Sequence, residues 1–498
     1  MVVSALLAGC ATAPPIDASA LPSIPPAFSA GNARWTATQP AEAQARGTWW
    51  KAFSDPVLDD LIERATGSNA SIQVAAARLV QARALVRATD AYRSLQATVG
   101  AAATRQGGAV LPGTAGTLLS VEADLSYELD LFGRLANATR AAALDARSSE
   151  ALLQSTRLLV QAEVAQTYLA LRALDDERTL VRGTLGAYRD TLKLTESRYR
   201  AGDVGELDVA RARTEVASTE SQALALDRRR AELEHALAVL TGQVASTFKV
   251  EVREWTTALP SIPPGVPSTA LARRPDVSAA QRSLLAAQTR VGVAKAAWFP
   301  SIALTASGGV ASSELGDLLR WSARAWGIGA LLSLPVFDGG RRQAGVERAQ
   351  GEMDAALASY REQILVAFQD VEDQLSSLSL LAEQTDAQSR AVAAASRATL
   401  LSDTRYRNGL VSQLELLDAR RSEFNNRRQA LQVRSAQYQA TVGLVRALGG
   451  AWDTELPVSA GADGSSVAST PPLLPVAATT ERPGSNFTLR SVLQRFGF

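Results

Sequence analysis

Two stretches of this chain are too long and too uninterrupted to be anything but helix, and they limit what the rest can do. Gly133 to Ala201 spans about seventy residues without a proline, and has no glycine between Gly133 and Gly183. Ala, Leu, Arg, Glu and Gln dominate it, all good helix formers. Leu158, Ala162, Ala165 and Leu169 form one apolar stripe, and Val160, Val164, Leu171 and Leu174 a second beside it. Two stripes require neighbours on two sides. At 1.5 Å per residue the helix is roughly 100 Å long, far beyond the needs of a globular core. The stretch then recurs. Arg341 to Asn408 is equally long and proline-free, with a heptad seam through Met353, Leu357, Tyr360, Ile364, Ala367, Val371, Gln374 and Leu378. Arg198-Tyr199-Arg200-Ala201-Gly202 closes the first and Arg405-Tyr406-Arg407-Asn408-Gly409 the second. The offset of about 207 residues also maps Tyr92 onto Phe299, Leu207 onto Leu414 and Gly242 onto Gly449, so the chain is a tandem duplication.

Composition narrows the chemistry. The 498 residues carry a net charge of +1, which gives no field to recruit nucleic acid. One histidine and one cysteine leave no intrachain disulfide and argue against His- or Cys-based metal sites. His235 sits within a helical pattern and reads as a solvated or packed helix position. No phosphate loop, nucleophile elbow or convergent carboxylate pair stands out, so no catalytic residue, cofactor or metal is assigned. No window approaches the roughly eighteen apolar residues of a membrane helix, so membrane contact has to come from lipid or from strands.

Taken in order, the chain divides into a signal remnant (1–9), an extended N-terminal arm (10–56), a first repeat (57–243), a Pro-rich linker (244–267), a second repeat (268–450) and a tail (451–498) expected to be largely disordered. Leu7-Ala8-Gly9-Cys10 has the form of a bacterial lipobox, which makes Cys10 the expected lipidation site. Trp49, Trp50 and Phe53 are expected to dock the arm onto the body. A short helix is expected from Pro56 and a longer one from Asn69 to Tyr92.

Next the period drops to two. Leu95 to Ala103 alternate weakly, and after a Gly-rich loop (107–116) the alternation sharpens. Leu119, Val121, Ala123, Leu125, Tyr127 and Leu129 share one face; Ser120, Glu122, Asp124, Ser126, Glu128 and Asp130 share the other. Two strands of about ten residues can cross a bilayer when tilted. The second repeat supplies matching strands at Ser301–Val310 and Trp326–Pro335, and return helices are expected at Leu207–Leu240 and Val411–Leu448. The Asn69–Tyr92 helix and the Leu207–Leu240 helix together match the long one, so they are expected to stack end to end beside it. Aromatics at the helix–strand junctions (Tyr92, Phe132, Trp298, Phe299, Phe337) suit either an interfacial girdle or junction packing.

Four strands cannot close a membrane barrel, and open edges cannot sit in lipid, so strands that span a bilayer require association of several chains. Helix, hairpin, long helix and return helix, twice over, with Arg-Tyr-Arg-x-Gly at both turns and Leu416-Leu417-Asp418-Ala419-Arg420 in the second, resemble the TolC-like outer-membrane efflux factors. With Cys10, the chain is similar to their NodT-type lipoprotein branch. The resemblance implies a mainly α fold with a β hairpin pair, assembled as a homotrimer: a twelve-stranded barrel in the outer membrane and a helical tunnel in the periplasm. It also implies linkers folded around the tunnel's waist, and a periplasmic adaptor and inner-membrane pump as partners. The implied activity is passive efflux, with type I secretion of proteins or peptides as the alternative. A soluble coiled-coil scaffold and an envelope enzyme remain as readings from other classes.

The same resemblance places a constriction at the helix turns beside Gly202 and Gly409. The matching positions are Asp208, Tyr406, Leu414, Glu415 and Asp418. Val411 stands where a basic locking residue is found in the family, and Arg211 and Arg421 are the nearby substitutes. Asp418 also reads as a surface charge paired with Arg421 at i+3. Of the strand residues, Leu125 is expected to face lipid and Glu122, Asp124 and Glu128 the lumen.

Overall fold

The computed structural model describes residues 14–16, 19, 21–23, 25, 28–29, 47–106, 116–260 and 273–450. Cys10, the rest of the Gly-rich loop, part of the Pro-rich linker and the tail lie outside the described residues. Helices α1 (Pro56–Ser68) and α2 (Ala70–Ala91) lead into strands β1 (Gln96–Gln106) and β2 (Gly116–Leu129). The long helix α3 (Arg134–Ala201) and the return helix α4 (Glu206–Leu240) complete the first copy. The second copy comprises α5 (Pro275–Ala296), β3 (Ser301–Ser312), β4 (Arg324–Ser333), α6 (Arg341–Arg407) and α7 (Gln413–Ala447).

Both long helices start on a carboxylate and stop on a glycine. Asp130 accepts from the backbone N–H groups of Leu135 and Ala136 at 3.0 and 2.7 Å, and Asp338 accepts from Gly340 and Arg342, each at 3.2 Å. A carboxylate there satisfies orphan donors and opposes the positive helix end. At the far ends Gly202 (φ +83°) and Gly409 (φ +72°) take the left-handed conformation, with Asp203 N–H bonded to Arg198 and Leu410 N–H to Arg405. This is the physical content of the Arg-Tyr-Arg-x-Gly repeat: a Schellman stop followed at once by a reversal.

The helices pack as four columns. Helix α3 lies between α2 and α5 near the strands, and between α4 and α7 farther away; α6 flanks α5 and α7. Within the outer column α4 meets α2 end to end: Asn69 Nδ2 donates to the Leu240 carbonyl at 2.9 Å, and Ser68 Oγ to that of Thr241 at 2.8 Å. The second copy joins α7 to α5 with a different residue, Arg274, which donates to the Ala447 carbonyl (3.4 Å), to Asp276 and to Asp370 (2.9 Å). The expected end-to-end stacking is therefore present in both copies.

Along α3 every residue of both expected stripes is buried. On α6, Tyr360, Ile364, Ala367 and Val371 are buried and the outlying seam positions are half-buried. A belt crosses the columns at mid-height. Trp49, Trp50 and Phe53 are buried against α1 and α3 as expected, and so are Phe248, Val250 and Trp255 of the segment after α4. Trp255 lies 4.7 Å from the Tyr438 ring, and Tyr438 Oη donates to the Thr257 carbonyl at 2.5 Å. Asp55 caps α1 and accepts from Tyr168 Oη (2.8 Å) and Thr257 Oγ1 (2.7 Å), while burial pushes the Tyr168 phenol up. His235 is exposed.

The four strands form one antiparallel sheet in the order β1-β2-β3-β4, matching the order of the helices that lead into and out of them. Strand β4 begins at Arg324, two residues earlier than the sequence pattern marks, and β3 runs on to Ser312. Among the described residues no helix is long and apolar enough to cross a membrane.

Candidate functional site

The sheet sorts its side chains by register. Ala97, Leu125, Ala306 and Ile328 are directly paired across the four strands, as are Val99, Ala123, Gly308 and Trp326. These rungs share one face because side chains alternate along each strand. The alternate rungs carry the opposite character: Thr98, Asp124, Ser307 and Gly327 between those two, and Gly100, Glu122, Gly309 and Ala325 just beyond. Glu122, Asp124 and Glu128 thus share the polar face, where Glu128 is bound by Arg134 at 2.6 Å. No helix packs closely over either face of the sheet among the described residues. Val99, Trp326 and Ile328 are about four-fifths exposed, an unusual position for such residues in water. Strands β1 and β4 each have one edge unpaired in the single chain.

Sheet and helices meet at aromatic residues. Phe132 and Phe299, one from each copy, stack at 4.7 Å with their planes 15° apart. Tyr92, Trp298 and Phe337 stay exposed, and Arg342 lies over the Trp298 ring at 4.6 Å. Junction packing therefore holds for Phe132 and Phe299, and Tyr92, Trp298 and Phe337 lie outside it.

At the opposite end lie the two turns, equal in sequence but not in surroundings. Tyr199 is exposed, whereas its counterpart Tyr406 is buried beneath the Arg198 guanidinium at 5.0 Å. The first copy covers the second. Ser412 caps α7, accepting from Glu415 N–H at 3.4 Å, and Glu415 pairs with Arg405 at 3.5 Å. Leu414 and Leu207 project into solvent at corresponding positions of the two turns. Asp418 lies 3.8 Å from Arg421, the i+3 pair of the surface-charge reading, and Asp208 lies 3.8 Å from Arg211.

Arg421 also crosses to Glu215 on α4, and the Glu215 hydrogen bond and charge raise its pKa above the ordinary arginine value. Two further ties join α7 to α3. Gln413 Nε2 donates to Thr195 Oγ1 at 2.9 Å, and Arg420 donates to Thr191 Oγ1 at 2.6 Å and to Asp403 at 2.9 Å. Gln413, Thr191 and Thr195 escaped sequence reasoning, and Arg420 entered it only as part of a motif, without this role. Their signal was a pair of threonines one helical turn apart on the long helix.

Comparison with known proteins agrees with this geometry. Residues 61–243 and 266–450 match the family described as outer membrane efflux protein. The pyoverdine export outer membrane protein OpmQ of Pseudomonas aeruginosa is 34% identical over 435 residues, covering 85% of this chain and 91% of that protein. The antibiotic efflux pump outer membrane protein ArpC of Pseudomonas putida is 32% identical over 466 residues, covering 91% of this chain and 94% of its own length. Among solved structures, the outer-membrane channel OprN superposes with a TM-score of 0.81 at 30% identity, over 89% of this chain and all of that one.

Proposed function

This chain belongs to the outer membrane efflux protein family, and from that premise we propose that three copies close into a passive duct carrying small molecules from the periplasm to the exterior. The observation that carries the reading is the sheet. It has an apolar face, a polar face, two open edges and a strand order that continues column by column into the helices. Joining β4 of one copy to β1 of the next removes both edges, turns the apolar face to lipid and the acidic face to the lumen, and extends the barrel as a helical tube. A periplasmic adaptor and an inner-membrane pump supply substrate and energy. Relatives named for pyoverdine and antibiotic export support small organic molecules as cargo.

The turns beside Gly202 and Gly409 form the gate, where Leu414 and Asp418 of three copies converge. The lock is the set of ties from α7 to the first copy, with Arg421 bound to Glu215, in place of a base at position 411.

Lipid on Cys10 supplements the barrel. Gln288 Nε2 holds the Pro14 carbonyl at 2.7 Å, while Leu21 and Phe28 pack progressively farther from the strands. Gln288 lies about 12 Å before the strand end of α5, so the described part of the arm begins near the sheet.

Planar-bilayer recording tests the duct. Purified protein should form discrete cation-selective channels, because the charges on the lumen face are acidic, and Glu122→Gln with Asp124→Asn should reduce that selectivity. Cys10→Ala should lose an acyl label yet still fractionate with the outer membrane. Recovery in the soluble periplasm, with no channel activity, would remove the spanning role of the strands.

A further inference from the structure

The charges on the outward face of the sheet lie at its far end. From Ile302 to Val310 this face is apolar, a span of eight residues or about 26 Å along the strand. At a tilt of about 40° that is roughly 20 Å of height, close to the apolar band of a membrane barrel. The next outward position on β4, paired with Val310, is Arg324. On β1 the outward series Ala97, Val99, Ala101 and Ala103 ends in Arg105, paired with Thr117. Both arginines are exposed, and both belong to the strands whose edges are open in the single chain.

Arg324 is not a free surface arginine. Its guanidinium carbon lies 3.8 Å from the ring centre of Trp321, which is itself 79% exposed. Leu315 and Leu319 of the same β3–β4 connection are also exposed, at 77% and 92%. Arg320 is occupied with Asp317 at 3.0 Å, so that acid does not compete for Arg324. A planar cation braced on an aromatic ring, beside unburied leucines and at the outer boundary of an apolar band, suits an amphiphile with an anionic head and several acyl chains.

We infer that the outer rim binds a phosphorylated glycolipid of the outer leaflet: Arg324 and Arg105 engage its phosphates, and Trp321, Leu315 and Leu319 lie against its sugar and acyl portions. The inference rests on the trimeric barrel proposed above, because closure there joins β4 of one copy to β1 of its neighbour and places both arginines along one seam. The outer leaflet fixes the occupant, since the rim at this end of the strands is the one remote from the helices and hence from the periplasm.

The test uses the full-length trimer in detergent, incubated with lipid A bearing two phosphates, with dephosphorylated lipid A, or with phosphatidylglycerol, and read by native mass spectrometry. Wild type should retain the diphosphorylated glycolipid at least tenfold more than the other two. Arg105→Gln with Arg324→Gln should abolish that preference, and Trp321→Ala should weaken it, while trimer mass and single-channel conductance stay unchanged. Equal retention of all three lipids, or undiminished preference in the double variant, would overturn the inference and leave the duct intact. A wild-type protein that forms no conducting trimer would instead overturn the duct, and the glycolipid site with it.

Discussion

At the scale of single residues, the junctions between stacked helices are where substitution costs most. Gly242 and Gly449 hold φ of +69° and +86°, and a Cβ on either would come within 2.7 Å of a carbonyl oxygen, that of Ser68 or Arg273. Replacement by alanine therefore adds backbone strain to a collision with main chain, at a cost of about 1–3 kcal/mol. Gly183, inside α3 with nothing within 4 Å of its would-be Cβ, should respond oppositely and gain about 0.5–1 kcal/mol as alanine. Denaturant titration of helical circular dichroism in detergent would show the midpoints of Gly242→Ala and Gly449→Ala falling while that of Gly183→Ala rises; equal shifts would contradict the junction geometry. The equivalence of these glycines was legible from the 207-residue offset. The side chains that tie these junctions were not, because the two use unrelated chemistry, Asn69 in one and Arg274 in the other. Hidden too was the ionic cluster in which Asp175 accepts from Arg178 at 3.0 Å and from Arg230 at 2.8 Å. Periodicity marks a charge within an apolar stripe, yet it does not say which charge some fifty residues away will neutralise it.

At the scale of elements, the hairpin is the sharpest case. Leu125 and Asp124 are adjacent in sequence and belong to rungs of opposite character. Arginine at a lipid-facing midplane position costs about 2–4 kcal/mol, while a lumen position tolerates charge. Leu125→Arg should therefore deplete assembled trimer in isolated outer membranes far more than Asp124→Arg, and equal depletion would mean that both faces pack against protein. Helices and hairpin faces could be read from sequence because their periods are sustained over many residues. The sheet ends could not. Gly308, Gly309 and Ala311 carry too little contrast to mark where β3 stops, and Arg324 breaks the apolar series just where β4 begins. The turns were legible as Schellman glycines. The burial of Tyr406 under Arg198 was not, since it depends on how one copy lies against the other.

At the scale of the whole molecule, the duplication makes two hairpins and four helical columns, and the open edges of β1 and β4 ask for more copies. If the second-repeat turns of three chains converge on one axis, Leu414 plugs the opening and Asp418 adds like charges that repel or recruit cations. Leu414→Ala with Asp418→Ala should raise single-channel conductance and weaken block by divalent cations from the periplasmic side. Unchanged conductance with an intact trimer would return Asp418 to its surface pairing with Arg421. The most direct measurement concerns closure itself. In a chain with Cys10 replaced by alanine, one cysteine on β1 and one on β4 are introduced together, across a panel of lipid-facing positions, oxidised, and resolved under denaturing conditions. A barrel closed by β4 meeting the neighbour's β1 should yield covalent species of two and three chains and nothing larger. Ladders running beyond three chains, or no cross-link between chains anywhere in the panel, would contradict it.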